Sequence, residues 1–380
     1  MIPFNRPYIC GAEQNYIAKV LSNRKFSGDG EFTQKCHAWF EQRYGFQKAL
    51  LTTSCTAALE MCAILLDIKL GDEVILPSYT FVSTANAFAL RGATLKFADS
   101  LPNHPNVDPD QIALLITSKT KAIVVVHYAG IACDMDRIVA LAERHKIPIV
   151  EDAAQSIESS YRDRPLGSIG ALATFSFHET KNVVCGEGGL LAINDKSLIK
   201  RAEIIREKGT NRSSFFRGEV DKYGWVDIGS SFLPSELLAA FLLAQLEHVS
   251  SIQSMRMRVW QRYWNNFQKY GLADHVTQPV LPEFATNNAH MFYLICRSLE
   301  QRTALIAALK EKGIMAVFHY LSLHSSEYFN ARHDGRVLEN SDRYSDCLVR
   351  LPLFPELTDN QIDEISRAVT EAFHRTADLP

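Results

Sequence analysis

The chain has 380 residues, of which 47% are hydrophobic and 22% are charged. It is too long for one typical domain of roughly 100–200 residues, and its composition is that of a globular protein with a sizeable core. Lys and Arg number 40 against 43 Asp and Glu, a net charge of −3, which excludes a general attraction to nucleic acid or to an anionic membrane surface. Any anionic ligand must therefore be bound by a local site.

The N-terminal segment has no apolar stretch followed by a small-residue cleavage site, and no uncharged apolar run approaches the roughly 20 residues that span a bilayer. We therefore expect a cytoplasmic protein without membrane or nucleic-acid partners. The eight cysteines form no C-x-x-C pair and have no histidines at ligand spacing. Reduced thiols are expected rather than a metal site or a disulfide framework.

From Lys48 to Glu151, short apolar runs alternate with helical patterns. The predicted elements are strand 49–51, helix 56–66, strand 73–76, helix 81–91, strand 94–98, a helix near Gln111, strand 122–126, helix 134–145 and strand 147–150. This alternation favours an α/β fold with a mostly parallel sheet flanked by helices. Ligands of such sheets bind outside the carboxyl ends of the strands.

Extended segments 172–177 and 189–193 flank Lys181, and a helix is predicted over 196–207. The amphipathic stretch 251–270 is typical of a bridge to a second domain. That domain is predicted to contain strand 291–297, helix 301–312, strand 315–318 and a closing helix from Thr358 to near His374. We predict a large domain over residues 1–250 and a smaller C-terminal α+β domain over 251–380.

Three polar segments follow predicted strands: Thr53–Thr56, Glu151–Gln155 and Phe175–Asn182. Together they match what pyridoxal 5′-phosphate (PLP) requires. This cofactor needs an amine for its aldehyde, a carboxylate facing its ring nitrogen and hydrogen-bond donors for its phosphate. The sequence therefore predicts a PLP site at the carboxyl edge of the sheet, with no metal.

Lys181 and Asp152 are the predicted catalytic residues. Lys181 offers the amine and, once released, a general acid/base whose pKa is lowered by burial. Asp152 follows the apolar run 147–150, where a lone carboxylate is costly and the protonated ring nitrogen of PLP is a suitable partner. Taken singly, a loop lysine is usually a solvated charge, and such a carboxylate can cap a helix or pair with an arginine. Their combination favours the cofactor site.

The remaining cofactor contacts are predicted from position. Backbone N–H groups of Ser54, Cys55 and Thr56 at a helix start suit a phosphate, with Ser176 as a second donor, although most such segments are ordinary N-caps. Gln155 is placed to bond the phenolic oxygen of the cofactor. Phe81 is placed to stack on the ring, with core packing as its alternative.

With these residues assembled, the chain resembles the sugar-nucleotide aminotransferases, a PLP-dependent family of fold type I that acts on keto sugars attached to a nucleoside diphosphate. The resemblance runs from Pro3-Phe4 to 351–354 and is carried by Glu151–Gln155 and by the pattern Ser176-Phe177-x3-Lys181-Asn182. Within the family, the chain is most similar to the transaminases that form dTDP-4-amino-4,6-dideoxygalactose. The segments behind this match are 175–182, 202–213, 227–231, 288–293 and 315–320.

The resemblance implies a homodimer with shared active sites, in which PLP alternates with pyridoxamine 5′-phosphate. It implies L-glutamate as amino donor, a dTDP-4-keto-6-deoxyhexose as acceptor, and a role in surface polysaccharide synthesis such as lipopolysaccharide or enterobacterial common antigen. It assigns cofactor contacts to Lys181, Asp152, Gln155, Cys55, Thr56, Ser176 and Phe81. Two positions depart from many members: Cys55 replaces a glycine or alanine, and Ser231 stands where an asparagine crosses the dimer to the phosphate.

The acceptor carries a diphosphate, so cations and hydrogen-bond donors are expected near the cofactor. The candidates come from the polar loop between Gly209 and Trp225 and from a segment near residue 320: Arg212, Lys222, Tyr223, Tyr320 and His324. Each is equally consistent with an ordinary loop residue.

Other activities fit the same pattern. Amination at C3, or at C4 to give the gluco epimer, stays open because the sequence does not show how the hexose lies over the ring. A PLP-dependent sugar-nucleotide dehydratase is the lyase alternative, but such members carry a histidine at the position of Lys181. A non-catalytic regulator with this fold is disfavoured because every residue that the cofactor needs is present.

Overall fold

The computed structural model describes residues 1–272 and 276–375. The helices are α1 (Glu13–Asn23), α2 (Glu31–Tyr44), α3 (Cys55–Leu65), α4 (Val82–Ala89), α5 (Pro109–Leu115), α6 (Met135–His145), α7 (Ile199–Arg206), α8 (Arg212–Phe216), α9 (Glu236–Glu247), α10 (Val249–Lys269), α11 (Leu299–Glu311), α12 (Glu339–Cys347) and α13 (Asp359–Arg375). The strands are β1 (Lys48–Thr52), β2 (Glu73–Pro77), β3 (Thr94–Ala98), β4 (Ser100–Leu101), β5 (His104–Val107), β6 (Thr120–Val126), β7 (Ile149–Asp152), β8 (Ser160–Tyr161), β9 (Arg164–Pro165), β10 (Leu172–Ser176), β11 (Gly189–Ile193), β12 (Phe292–Ile295) and β13 (Leu348–Leu351).

A seven-stranded sheet lies at the centre of the fold, in the order β1-β11-β10-β7-β6-β2-β3. Neighbouring strands pair in parallel except at β11, which runs antiparallel to both β1 and β10. This confirms the predicted α/β fold with a mostly parallel sheet. Because the other strands share one direction, their carboxyl ends meet at one edge, where Asp152 ends β7 and Ser176 ends β10.

Helices cover both faces of the sheet because its strands are apolar on both sides. In β10, Leu172 packs with residues of α3 and α7, whereas Ala173 and Phe175 pack with residues of α2 and α9. Successive side chains of a strand point to opposite faces, so each face receives its own core. Polar side chains are thereby confined to the strand ends, where the candidate site lies.

Gly189 allows the start of α3 to approach this edge. It is the first residue of β11 and is paired with both Thr52 and Ser176. A Cβ atom at this position would lie 2.3 Å from the carbonyl carbon of Ser54 and 2.4 Å from the amide nitrogen of Cys55. Any larger residue would push the N-terminus of α3 away from the sheet, so glycine is required for this contact.

The residues after α10 form a smaller layer in which β12 and β13 pair in antiparallel fashion. The strand predicted over 291–297 and the two later helices are confirmed, but the strand predicted over 315–318 is wrong. Met315 donates to the carbonyl of Ile2, whereas Val317 bridges Arg350. Because the segment alternates between these partners, it forms no continuous ladder.

Helices α1, α2, α8, α9 and α12 were not predicted, and α8 lies within the segment predicted to be a polar loop between Gly209 and Trp225. The apolar core of the C-terminal layer is continuous with residues of β6 and α6, so the domain division at residue 250 stays a prediction. Residues 273–275 and 376–380 of the predicted second domain lie outside the described residues. Within the described ranges, no helix is both long and apolar enough to cross a bilayer.

Glu151 ties β7 to the turn before β10. Its buried carboxylate accepts hydrogen bonds from Nε2 of His127 at 2.9 Å and from the backbone N–H groups of Gly167, Ile169 and Gly170 at 2.8, 2.7 and 2.6 Å. Burial disfavours the ionised form, but the hydrogen bonds outweigh it and hold the pKa of Glu151 below its ordinary value. The carboxylate therefore stabilises the fold in its charged state.

We predict that Glu151→Gln lowers the free energy of unfolding by roughly 2–3 kcal/mol at neutral pH, because the amide N–H group would face buried backbone donors. A carboxylate whose pKa is lower in the folded than in the unfolded state stabilises the fold at pH values above its unfolded pKa of about 4. This stabilisation is lost as the pH falls through the folded-state pKa. The difference from the wild type should therefore shrink in acid, as measured by urea unfolding. The control Glu143→Gln, at an exposed position of α6, should stay within about 0.5 kcal/mol, and equal stability of the two variants would contradict this account.

Candidate active site

A cavity of about 790 Å³ lies at the carboxyl edge of the sheet. It is lined by most of the predicted cofactor residues and one predicted sugar contact: Ser54, Cys55, Thr56, Phe81, Asp152, Gln155, Ser176, Lys181 and Tyr320. These residues come from widely separated parts of the chain. The parallel sheet brings all of them except Tyr320 together, because their segments follow strands that end at the same edge.

Asp152 presents a buried carboxylate to this cavity. It accepts hydrogen bonds from the hydroxyl of Thr84 at 2.7 Å and from the N–H group of Ala154 at 3.2 Å. Burial raises the pKa of Asp152, and these hydrogen bonds and the charges of Lys181 and His127 oppose the shift only in part. A further cation beside the carboxylate would complete its stabilisation.

Lys181 is held in the connection between β10 and β11. The backbone N–H group of Lys181 donates to the carbonyl of His178 at 2.9 Å. The backbone N–H group of Glu179 donates to the carbonyl of Gly186 at 3.1 Å, which closes the loop. The side chain of Lys181 is half-buried and lines the cavity. Burial lowers the pKa of Lys181, so that its neutral, nucleophilic form is more accessible than that of a surface lysine.

The start of α3 forms a cradle of hydrogen-bond donors. Ser54 is the N-cap, and its hydroxyl accepts from the N–H group of Ala57 at 3.0 Å. The hydroxyl of Thr56 lies 2.7 Å from that of Ser83 in the first turn of α4. Ser176 lines the same cavity. Free N–H groups and the positive end of a helix dipole favour an anion here.

Cys55 adds a neutral thiol to this cradle. Burial, followed by the charge of Asp152, raises the pKa of the thiol well above its ordinary value. An uncharged side chain does not repel a phosphate, so the backbone N–H group of Cys55 remains available for binding.

Gln155, Tyr320 and Phe81 surround another part of the cavity. The side-chain amide of Gln155 donates to the hydroxyl of Tyr320 at 2.8 Å and accepts from the N–H group of Ala129 at 2.6 Å. Phe81 precedes α4, is 55% exposed, and its ring centroid lies 6.2 Å from that of Tyr320. Phe81 is therefore not a core residue, and its face is available for stacking.

The polar loop residues and Ser231 are not brought to the cavity of a single chain. Arg212 lies over the ring of Phe216 at 5.0 Å, and Lys222, Tyr223 and Ser231 are exposed. Their predicted roles depend on a second copy of the chain, which a homodimer with shared active sites would supply.

His324 lies behind the wall of the cavity. Its Nδ1 atom is 2.7 Å from the hydroxyl of Ser78, and its Nε2 atom is 3.5 Å from the carboxylate of Asp342. The imidazole is thus engaged within the protein, and a contact with the sugar stays a prediction.

The structure adds residues that the sequence did not single out. His319 stacks on Tyr320 with ring centroids 3.5 Å apart, and Nδ1 of His290 lies 2.8 Å from the side-chain oxygen of Asn182. Two of the missed residues gave a signal: Thr84 is a hydroxyl residue in an apolar helix, and Arg350 interrupts the apolar run 348–354.

The set of functional groups fits PLP. The buried carboxylate of Asp152 suits a protonated ring nitrogen, the amine of Lys181 suits the aldehyde, and the start of α3 suits the phosphate. Phe81 offers a face for the ring. The site as a whole is therefore able to hold the cofactor predicted from the sequence.

Comparisons with known proteins point in the same direction. The sequence profile of the DegT/DnrJ/EryC1/StrS aminotransferase family matches residues 7–370. The structure is similar to that of Spr1654 from Streptococcus pneumoniae, described as a sugar aminotransferase, in its apo form: TM-score 0.92, 26% identity, covering 100% of this chain and 99% of the other. Spr1654 is also known in PLP and pyridoxamine phosphate forms.

Two further structures are similar. The aminotransferase TlmJ from Streptoalloteichus hindustanus has a TM-score of 0.91 and 27% identity, covering 99% of this chain and all of the other. Helicobacter pylori PseC, an aminotransferase of pseudoaminic acid biosynthesis, has a TM-score of 0.90 and 22% identity, covering 98% of this chain and 99% of the other. At that identity the second likeness shows the fold alone.

We predict that Lys181→Ala abolishes the visible absorption of the protein loaded with PLP and lowers turnover by about 10²–10⁴-fold, because the amine that binds the cofactor and carries the proton is lost. The control is Lys200→Ala, at an exposed position of α7, which should keep both properties. Unchanged colour in the Lys181 variant would refute the assignment.

We also predict that Thr84→Val lowers kcat by about 10- to 100-fold, since a hydrogen bond to the carboxylate of Asp152 is removed. Loss of this bond raises the pKa of Asp152 further, so the acid limb of the pH–rate profile should move to higher pH. Thr94→Val, at an exposed position of β3, is the control. An acid limb that stays in place would show that Thr84 does not act on Asp152.

Proposed function

The chain belongs to the DegT/DnrJ/EryC1/StrS aminotransferase family, and on that premise we propose that it transfers the amino group of L-glutamate to the C4 keto group of a dTDP-4-keto-6-deoxyhexose. The product is a dTDP-4-amino-4,6-dideoxyhexose, of galacto configuration, for surface polysaccharide or antigen synthesis. Membership confirms the predicted family, the PLP-dependent fold of type I and the transaminase activity. The family is PLP-dependent, which confirms the predicted cofactor.

The observation that supports an amino transfer is the convergence of Lys181, Asp152 and the start of α3 on one cavity. Its volume of about 790 Å³ lies in the upper part of the range of roughly 300–1,000 Å³ that is usual for small-molecule sites. There is therefore room for a substrate beside a cofactor, as a reaction at the reactive end of PLP requires.

When bound, PLP supplies an aldehyde that takes up the amino group and a ring that withdraws electrons from the substrate carbon. Asp152 holds the proton on the ring nitrogen, because a cation beside this buried carboxylate stabilises both charges. Lys181 would take the proton from the substrate carbon that bears the amino group and return it to C4′, the aldehyde carbon of the cofactor. Burial lowers the pKa of Lys181, so its neutral, basic form is more accessible than that of a lysine in solvent.

The surrounding residues orient the reactants and limit access of water. Gln155 and Tyr320 form a hydrogen-bonded pair at the cavity wall. Met291, Leu351 and Leu353 contribute apolar surface, which strengthens the electrostatic contacts inside by excluding solvent. The same residues serve both half-reactions, since donor and acceptor exchange one amino group in turn at one site.

The choice of acceptor is supported by the resemblance over segments 202–213 and 315–320. Tyr320 lines the cavity, whereas Arg212, Lys222 and Tyr223 are exposed on a loop that contains further exposed aromatic side chains. We place these loop residues, together with Ser231, at the site of a second subunit, where Arg212 and Lys222 meet the diphosphate.

We predict that the purified protein with PLP, L-glutamate and dTDP-4-keto-6-deoxyglucose yields a product with an axial amino group at C4, as assigned by NMR. The Lys181→Ala protein is the control for background chemistry. An amino group at C3 or an equatorial one at C4 would overturn the proposed regiochemistry or configuration. Loss of a hydroxyl without amination would indicate a dehydratase.

A further inference from the structure

Arg350 places a second cation in the wall of the cavity that contains Lys181. It lies in β13, opposite Tyr293 of β12, and forms a further bridge with Val317. The backbone N–H group of Arg350 donates to the carbonyl of Val317 at 2.8 Å. The backbone is thus held on both sides, and the side chain starts from a rigid position.

The guanidinium group is oriented but not fully used. Its central carbon lies 4.6 Å from the centroid of the Phe4 ring, and Nη2 donates to the carbonyl of Phe318 at 3.1 Å. Nε is buried and has no hydrogen-bond partner within the described residues. Stacking fixes the plane of the group, so its unused edge is preorganised for a planar acceptor.

Among the residues that the structure describes, no ion pair neutralises the charge of Arg350. The titratable groups that act on it most are the hydroxyls of Tyr128, Tyr320 and Tyr79. Burial raises the pKa of each of these phenols, so they stay uncharged near neutral pH. A half-buried cation of this kind is stabilised by an anionic ligand.

The position of Arg350 decides which anion it meets. Arg350 and Lys181 line the same cavity, so a ligand whose reacting carbon lies at Lys181 can also meet Arg350. In an amino acid, the carboxylate is attached to the reacting carbon itself. In the sugar nucleotide, the hexose ring separates the reacting C4 from the diphosphate at C1, and the phosphate of the cofactor fits the start of α3.

We propose that Arg350 binds the α-carboxylate of the amino donor and thereby selects an amino acid over a simple amine. This inference rests on the proposed function and assigns one residue to its donor half-reaction. A bidentate contact with the carboxylate would hold the donor's Cα–H bond towards Lys181. The keto sugar has no carboxylate at its reacting end and does not need this contact.

The test separates the two half-reactions. Arg350→Met and Arg350→Lys are loaded with PLP and mixed with L-glutamate, and the loss of visible absorption is followed by stopped flow. In parallel, the same proteins are loaded with pyridoxamine 5′-phosphate and mixed with dTDP-4-keto-6-deoxyglucose. We expect the half-saturating glutamate concentration to rise about 10- to 100-fold in Arg350→Met and less in Arg350→Lys, with the sugar half-reaction unchanged.

Arg6→Met is the matched control, since Arg6 also lies over an aromatic ring, that of Phe354 at 5.4 Å, but is exposed and outside the cavity. Equal losses in both half-reactions, or an unchanged glutamate dependence, would overturn the proposal. If Arg350→Met fails to take up PLP, wild-type glutamate dependence in Arg350→Lys would overturn it. A wild-type protein that reacts with glutamate but not with the sugar refutes the proposed acceptor, while the Arg350 comparison still decides the donor contact.

Discussion

The candidate site depends on a carboxylate at the end of a buried strand. Asp152 is 5% exposed, and the hydrogen bonds from Thr84 and Ala154 do not offset the full cost of burying its charge. A cationic ring nitrogen would supply what is missing. The same burial that makes the carboxylate costly in the free protein would strengthen its proposed pairing with the cofactor, because few solvent dipoles compete with it.

The sheet turns this local requirement into a complete site. Strands that share one direction deliver their polar ends to one edge, and the reversal at β11 returns the chain beside β1 and β10. The connection between β10 and β11 then carries Lys181, and Gly189 gives the start of α3 room to approach. The backbone hydrogen bonds of the sheet therefore position Lys181, Asp152 and the start of α3 together. These bonds are stiffer than side-chain contacts alone.

A single chain supplies the cofactor part of the site more completely than the substrate part. Arg212, Lys222, Tyr223 and Ser231 are exposed, and the proposed homodimer would bring them to the site of a second subunit. Arg350 differs because it lies within the chain's own cavity. Under the proposed function, the small amino donor is therefore bound by a cation inside the subunit, Arg350. The large sugar acceptor is bound by the cations Arg212 and Lys222 between Gly209 and Trp225.

The sequence by itself determined the alternation of strands and helices and the family, and it marked Lys181 and Asp152 as the proposed cofactor residues, because these follow from local periodicity and from short motifs. It did not determine which distant residues act on them. Thr84 reaches Asp152 across 68 positions, and Arg350 enters the cavity only because β13 pairs with β12 and bridges Val317. The failed strand over 315–318 has the same cause: its partners, Ile2 and Arg350, are remote in the chain. Such contacts depend on non-local packing and hydrogen bonding. A linear pattern can mark a residue as unusual, but it does not show which distant residue it contacts, so only the tertiary structure decided these contacts.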